Sequence, residues 1–510
     1  MIAAVLFLVV LGPFVTTAFP EDTFIMLDGG WRILQGQVPH VDFYTPLGPV
    51  TLWAVALGMW LGGATVNGLV YANVVVFLIV ALWTWLIAAR RLAPLWCVAV
   101  AIVNLFMVAG ATCNFEITQV GYAAVYNRYA TVVATLVLLE ALLPPKNPGK
   151  TRGYVFDGIS TGVGLVLLFF LKLNFFVAAL LGVVLAAVLV PHSRGRWLGL
   201  AAGVVATGLL VLGSLRFDVG AVVNDLMLGA KARAGNLYVS TRGMLTSREV
   251  FACYFLFVVL CCICPPSPAL YSRRIPQALA HVLVGVFFVC MQTMLSLTNS
   301  NAPLTTLFPV GAVAWLEGLS RASNMADRNS RSTASWSWAA ALPLVLYFFV
   351  VVVHPNAASV VYATLLRHTK ARHLSEGQLF SAAPLRQMRT LRQEEYVRKV
   401  NDGCRLLERN TQPADRIVTM DFSNPFCLAL HRPSPKGDAL WWHNRVTFTE
   451  TLHPGAERVF REATFVMVPK QPCWEDTLRA LMAAYSRFLN ANFSQVAESE
   501  FWVLYKRRAT

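Results

Sequence analysis

PEDTFIMLDGGWRILQGQVPHVDFYTPLGP, residues 20–49, places four carboxylates, Glu21, Asp22, Asp28 and Asp42, directly after an apolar run and before another. A carboxylate in lipid costs several kcal/mol unless it reaches water or a partner. The stretch therefore reads as a loop at a membrane surface, with spanning segments on either side.

The rest of the chain agrees. Of its 510 residues, 56% are hydrophobic and 14% charged, and the mean hydropathy is +0.56. A soluble domain carries about 25% charged residues, so this is the composition of a polytopic membrane protein with some soluble mass attached. The formal net charge is +15. The cations are not interleaved with aromatics on a soluble domain; most sit in short loops between apolar runs, which excludes a nucleic-acid partner and follows the positive-inside rule. The ten cysteines show no Cys/His metal spacing, and the one CxxC spacing, Cys261 to Cys264, closes an apolar run. Cys97, Cys253, Cys261, Cys262 and Cys290 lie in apolar runs, where the thiol acts as a small hydrophobe.

A spanning helix needs about 20 largely apolar residues. Candidates are 2–19, 67–89, 94–111, 125–143, 155–171, 174–190, 197–214, 250–264, 278–296, 302–318 and 338–353, about eleven transmembrane helices. The apolar stretch 49–62 is too short to span and reads as an interfacial or re-entrant helix. With the N-terminus in the cytoplasm, the inside loops hold Arg90 and Arg91, then Lys146, Lys150 and Arg152, Arg194 and Arg196, Arg273 and Arg274, and Arg321, Arg328 and Arg331. Counting 49–62 as a span would move all of these outside. The outside loops are then 20–66, 112–124, 215–249 and 297–301, with everything after about 354.

The tail, 355–510, is rich in charge and turn residues. Helical periodicity at 387–410 and 474–493 alternates with β-like runs at 416–422, 463–469 and 501–507, the pattern of a small α/β domain. The fold class is mainly α: residues 1–354 form a polytopic transmembrane domain and 355–510 an extracytoplasmic α/β domain. The tail thiols Cys404, Cys427 and Cys473 face an oxidising compartment in this topology, where one disulfide among them is compatible with the sequence.

Within the opening stretch, Phe24, Leu27, Trp31 and Leu34 make one apolar stripe of a helix over 22–35. Such a helix lies along the membrane face with Trp31 at the interface. Asp22 then caps its N-terminus, and Asp28 faces Arg32 at i+4, a surface pair worth a few tenths of a kcal/mol. The outside loop 215–249 carries Arg216, Lys231, Arg233, Arg242 and Arg248. These cations lie where the positive-inside rule does not put them. Either they solvate the loop or contact lipid headgroups, or they bind a phosphate at the membrane surface, for which Arg and Lys are suited. Lys172 is placed to reach the same phosphate, and the loop CNFEITQVGYAAVYNR adds Glu116, Asn127 and Arg128. Acids and cations on one membrane face suit group transfer from a lipid phosphate, with a carboxylate taking the acceptor's proton and cations stabilising the leaving phosphate.

An acid just after the first span, followed by WRILQGQVPHVDFYTPLGPVTLW, resembles polytopic GT-C glycosyltransferases, in particular bacterial members related to protein O-mannosyltransferases and the lipid A aminoarabinose transferase. The resemblance covers the membrane half and is strongest at 20–66. It implies a polyprenyl-phosphate-linked sugar donor, an extracytoplasmic active site, and transfer to a lipid, glycan or protein acceptor at the periplasmic face of a bacterial inner membrane. It matches Asp22 to the catalytic base. Glu21 precedes it, reversing the family's usual Asp-then-Glu order. Asp42 matches a recurrent acid, and Glu21, Asp28, Asp42, Glu116 and Asn127 are the expected sugar or acceptor contacts. Lys172, Arg128, Arg216, Lys231, Arg233, Arg242 and Arg248 are the expected donor-phosphate ligands. Some relatives use a divalent metal; no ligand cluster in the sequence assigns one. Two alternatives compete. A flippase for a lipid-linked glycan calls for mid-bilayer charges and repeated halves, whereas Glu140, Asp157 and Glu317 lie near span ends. A membrane acyltransferase calls for a buried histidine, for which His281 is the sole candidate.

Overall fold

The computed structural model describes residues 14–113, 116–123, 125–146, 151–234, 241–242, 246–263, 276–298, 307–325, 328–369, 379–391 and 393–508. The expected first span, 2–19, lies largely outside them. Its last residues do not continue a helix. Phe14–Thr16 is a strand, β1, paired in parallel with Met388–Thr390 of the tail. Val15 and Thr16 favour extended backbone, and the Thr16 hydroxyl lies within hydrogen-bond distance of the carbonyls of Ala18 and Val120, at 2.9 and 3.0 Å.

After β1 the chain turns at Phe19, in the left-handed region, into α1, Pro20–Leu34. The short apolar segment is helix α2, Pro49–Leu61. The remaining expected spans are helices, most with nearly the expected limits, while the last, expected over 338–353, is far longer. They are α3 (Gly68–Arg91), α4 (Pro94–Ala109), α5 (Val125–Leu142), α6 (Thr151–Leu171), α7 (Leu173–Leu189) and α8 (Arg194–Ser214), then α10 (Arg248–Ile263), α11 (Gln277–Thr298), α12 (Leu307–Met325) and α13 (Arg328–Thr369). Helix α9, Val219–Arg233, occupies the cation-rich loop. Helix α13 runs through Pro343 and Pro355, so one helix carries the last apolar run into the tail. Among the described residues, five helices are both long and apolar enough to cross a membrane, and shorter apolar helices lie among them. Outward-facing side chains such as Leu82, Trp85, Leu198 and Leu210 are more than half exposed. The protein is a multi-pass membrane protein.

Two helices of this bundle approach closely enough to exclude side chains. Gly158 and Gly162 of α6 face Gly199 and Gly203 of α8, a small-xxx-small pattern on both partners. A Cβ at these positions would lie 2.0–2.5 Å from a backbone carbonyl of the other helix. At one end of the bundle, Asp157 pairs with Arg90 at 2.6 Å and Arg91 at 2.6 Å. There, too, Arg196 donates to the Glu140 carbonyl at 2.7 Å, and Lys146 reaches Glu317 at 3.9 Å. The loops assigned to one membrane side thus meet at one end of the molecule.

In the tail, α14 (Glu394–Asn410) and α15 (Glu475–Asn492) accompany a sheet of four strands ordered Ile417–Thr419, Phe465–Pro469, Trp502–Arg507, Phe493–Glu498. The first pair is parallel and the others antiparallel. The strand at Phe493–Glu498 was not legible as one. It follows α15 without a break and is largely exposed, so no apolar alternation marks it.

The tail is seated on α1, which corrects three expectations. The helix does not lie on lipid: Phe24 and Leu27 are fully buried, and Trp31 turns to the tail, donating to the Arg432 carbonyl at 2.9 Å. The Asp28–Arg32 pair is not on the surface. Arg32 is buried, bonded through Nε to Asp28 at 2.8 Å, through Nη2 to Asp438 at 3.0 Å and through Nη1 to the Pro435 carbonyl at 2.9 Å. Nor is Asp22 the cap, since the helix already begins at Pro20.

Two outcomes test this packing. Gly199→Val should lower the melting temperature in detergent by the equivalent of about 1–3 kcal/mol or more, while Gly208→Val on the same helix, where no atom lies within 4 Å of the added carbon, should change it little. Arg32→Ala leaves two buried carboxylates uncompensated, so it should destabilise the protein by about 3–5 kcal/mol and speed limited proteolysis of the tail.

Candidate active site

The strand–turn–helix passage at 14–34 sets Glu21 and Asp22 in the first turn of α1, where the helix N-terminus favours negative charge. β1 fixes this turn from two sides: Leu391 donates to the Thr16 carbonyl at 3.1 Å, and Thr17 donates to Val120 at 2.7 Å. Asp22 is half-buried and crowded by protein. Burial, reinforced by the neighbouring Glu21 carboxylate, pushes its carboxyl up to about 8. Among the described residues no group donates a hydrogen bond to that carboxyl. Burial also raises Glu21, against the opposing pull of Lys399.

The tail closes one flank of this pair. Ser423 donates to the Glu21 carbonyl at 2.9 Å. Asp421, ion-paired with Lys399, accepts from the Cys473 backbone at 3.0 Å. Tyr396 lies within electrostatic reach of Glu21 and Asp421. Helix ends close the other flank. Tyr126 and Asn127 stand in the first turn of α5. Lys172 occupies the break between α6 and α7, where its extended backbone interrupts the helix. Its amine donates to Asn127 Oδ1 at 2.5 Å and sits 4.8 Å from the Tyr126 ring centre. Arg233, in the last turn of α9, acts on both Tyr126 and Lys172, and Tyr126 also feels Asp22. Burial and the Arg233 charge hold the Lys172 amine well below its ordinary value. An anion arriving beside it would restore the charge.

Of the residues singled out in the sequence, the fold therefore gathers Glu21, Asp22, Asn127, Lys172 and Arg233. The others lie elsewhere. Asp28 serves the buried Arg32 junction, where burial raises its carboxyl and lifts Asp438 to about 7. Asp42 accepts from the Val38 backbone at 2.9 Å and pairs with Lys436 at 3.3 Å and Arg216 at 3.6 Å, tying the first loop to the tail and to the start of the α9 loop. Arg128 is buried and donates to the Gly121 carbonyl at 3.3 Å. Lys231, Arg242 and Arg248 are exposed, and the Glu116 side chain lies outside the described residues. Tyr126, Lys399, Asp421, Ser423 and Tyr396 escaped the sequence reading. Tyr126 adjoins Asn127 and was within reach of it; the tail residues lie some 400 positions from Asp22 and carry no motif. Cys404, Cys427 and Cys473 are free thiols. His281, the candidate of the acyltransferase reading, meets the Cys261 carbonyl at 2.7 Å between two apolar helices. Among the described residues no three His, Cys, Asp or Glu side chains converge to hold a metal ion.

No protein-family model matches the chain, and no curated protein matches it. Solved structures are similar along its length. ArnT from Cupriavidus metallidurans bound to undecaprenyl phosphate shares 13% identity over 100% of this chain and 97% of that one, with a TM-score of 0.49. The same protein in the apo state shares 12% identity over 99% and 96%, with a TM-score of 0.43. The Archaeoglobus fulgidus oligosaccharyltransferase, in complex with Zn and sulfate, shares 12% identity over 92% of this chain and 67% of that one, with a TM-score of 0.33. Similarity of this degree leaves the chemistry to be read from the residues themselves.

Proposed function

We propose that this protein is a GT-C-type membrane glycosyltransferase that moves a sugar from a polyprenyl-phosphate donor to a lipid, glycan or protein acceptor. The observation that carries the reading is the half-buried Asp22 carboxyl, which accepts no hydrogen bond among the described residues and lies within electrostatic reach of Tyr126, the ring that Lys172 and Arg233 also approach. The motif resemblance at 20–66 points the same way. The topology of the basic loops supports a cytoplasmic N-terminus, with the site and tail on the periplasmic face of the inner membrane.

In this mechanism Lys172 and Arg233 hold the donor phosphate while its prenyl chain remains in the bilayer. Asp22 takes the proton of the acceptor hydroxyl or amine as that atom attacks the anomeric carbon. The bond from the anomeric carbon to the phosphate oxygen breaks, and the electron pair leaves with the polyprenyl phosphate, where the two cations stabilise it. A single displacement inverts the anomeric centre. Asp22 is suited to this task because burial makes it a stronger base than an exposed carboxylate. Glu21, anchored towards the Asp421–Lys399 pair, keeps the local field negative.

Asp22→Asn should abolish transfer while leaving expression and monodispersity intact; unchanged turnover would reject the assignment. In the wild type, kcat/KM should rise with pH through a midpoint near 8, a limb absent from the residual rate of Asp22→Asn. Lys172→Ala and Arg233→Ala should raise KM for the donor more than they lower kcat.

Stability should report the same carboxyl independently of turnover. Its folded value is about 8, against about 4 in an unfolded chain. The folded state therefore holds the proton more tightly, and the associated stability is complete below about pH 4 and lost as pH rises to about 8. The melting temperature of the wild type should fall relative to that of Asp22→Asn across that window and run parallel above it.

A further inference from the structure

Within the tail, Trp474 stands out as a large aromatic that remains 39% exposed. Its indole stacks on the His443 imidazole with centres 5.7 Å apart and planes at 17°. His443 in turn packs edge-on against buried Phe422 at 5.5 Å. The pair forms a flat aromatic face whose backing is rigid. Trp474 precedes α15 as its extended N-cap, its carbonyl accepting from Thr477 and Leu478 at 3.1 Å. The preceding residue, Cys473, is fixed by Asp421.

This face adjoins the candidate site along two routes. Cys473 lies within electrostatic reach of Glu21, and His443 lies within reach of Arg233, whose effect on it Asp476 opposes. The C–H face of a pyranose stacks on an exposed aromatic plane, which buries apolar area and meets the negative ring face. Its hydroxyls then need a few polar partners at the rim, a role open to Asp476, which acts on the His443 ring. Lys172 and Tyr126 take the membrane side of the site, while the aromatic face belongs to the tail. We propose that Trp474 and His443 form the platform on which a sugar ring of the acceptor rests, and hence that the acceptor is a glycan or glycolipid. This rests on the glycosyltransferase reading, and it selects among the acceptors that reading leaves open.

Saturation-transfer NMR on the full chain in lipid nanodiscs tests it without turnover, using methyl glycosides of glucose, galactose, mannose and N-acetylglucosamine as probes. At least one glycoside should take saturation at its ring C–H protons. Trp474→Phe should keep the signal. Trp474→Leu, which retains apolar surface without an aromatic face, should reduce it at least fivefold. No signal in the wild type, or a full signal in Trp474→Leu, would overturn the platform. Displacement of the glycoside by polyprenyl-phosphate mannose would assign the face to the donor and overturn the acceptor role. Asp22→Asn should leave the signal intact. Transfer surviving in that variant would sink the catalytic assignment alone, so the two failures are distinguishable.

Discussion

One guanidinium holds the two halves of this protein in register. Arg32 leaves the membrane-proximal helix α1 and is buried between Asp28 of the same helix and Asp438 of the tail, some 400 residues later. A buried charge is tolerated only when paired and hydrogen-bonded, so this junction admits few alternative seatings. The donation to the Pro435 carbonyl, the Phe43 ring 5.3 Å away and the bonds from Trp31 and Gln35 to the Arg432 carbonyl fix the remaining freedom. Because Glu21 and Asp22 occupy the first turn of the same helix, whatever locates Arg32 also locates them relative to the tail's Asp421, Ser423 and Tyr396.

The acids of the opening stretch then have three separate fates, and electrostatics distinguishes them. Asp28 is neutralised by a buried cation. Asp42 is surrounded by Arg216, Lys436 and a backbone amide and acts as a tether. Asp22 receives no such compensation, and its proton affinity rises accordingly. A fold selected for stability alone would pair or replace it. A half-buried carboxyl that accepts no hydrogen bond among the described residues is the kind of local conflict that the proposed catalytic role would account for.

Much of the architecture was legible in advance because its signals are local. Apolar runs located most of the helices to within a few residues, though the last helix runs far beyond its apolar run; the 49–62 segment is a short helix, and several of the basic loops that the positive-inside rule grouped together meet at one end of the bundle through Asp157 and Arg91. What escaped depends on contacts distant in sequence. FVTT at 14–17 reads as the end of an apolar run until its strand partner at Met388–Thr390 is known. The stripe containing Trp31 reads as lipid-facing because periodicity shows that a face is apolar and cannot say what covers it. The cations of the α9 loop look equivalent in the sequence; only the position of Arg233 at the end of α9, near Tyr126 and Lys172, separates it from exposed Lys231.

The tail consequently does more than accompany a membrane bundle. Its strands bury Val418, Val466 and Leu504 as an independent core would, yet the loops between them supply Ser423 to the Glu21 backbone and Asp421 to the segment that presents Trp474. A site built this way divides its recognition between two solvents. In the proposed reading the lipid-linked donor is met by helix ends, Tyr126, Lys172 and Arg233, and the acceptor by the aromatic face that precedes α15. In that reading Asp22 stands on a helix seated against the tail, and the two substrates need not be bound by one rigid element. They need only be delivered to the same carboxyl, and the buried Arg32 junction fixes where that carboxyl stands.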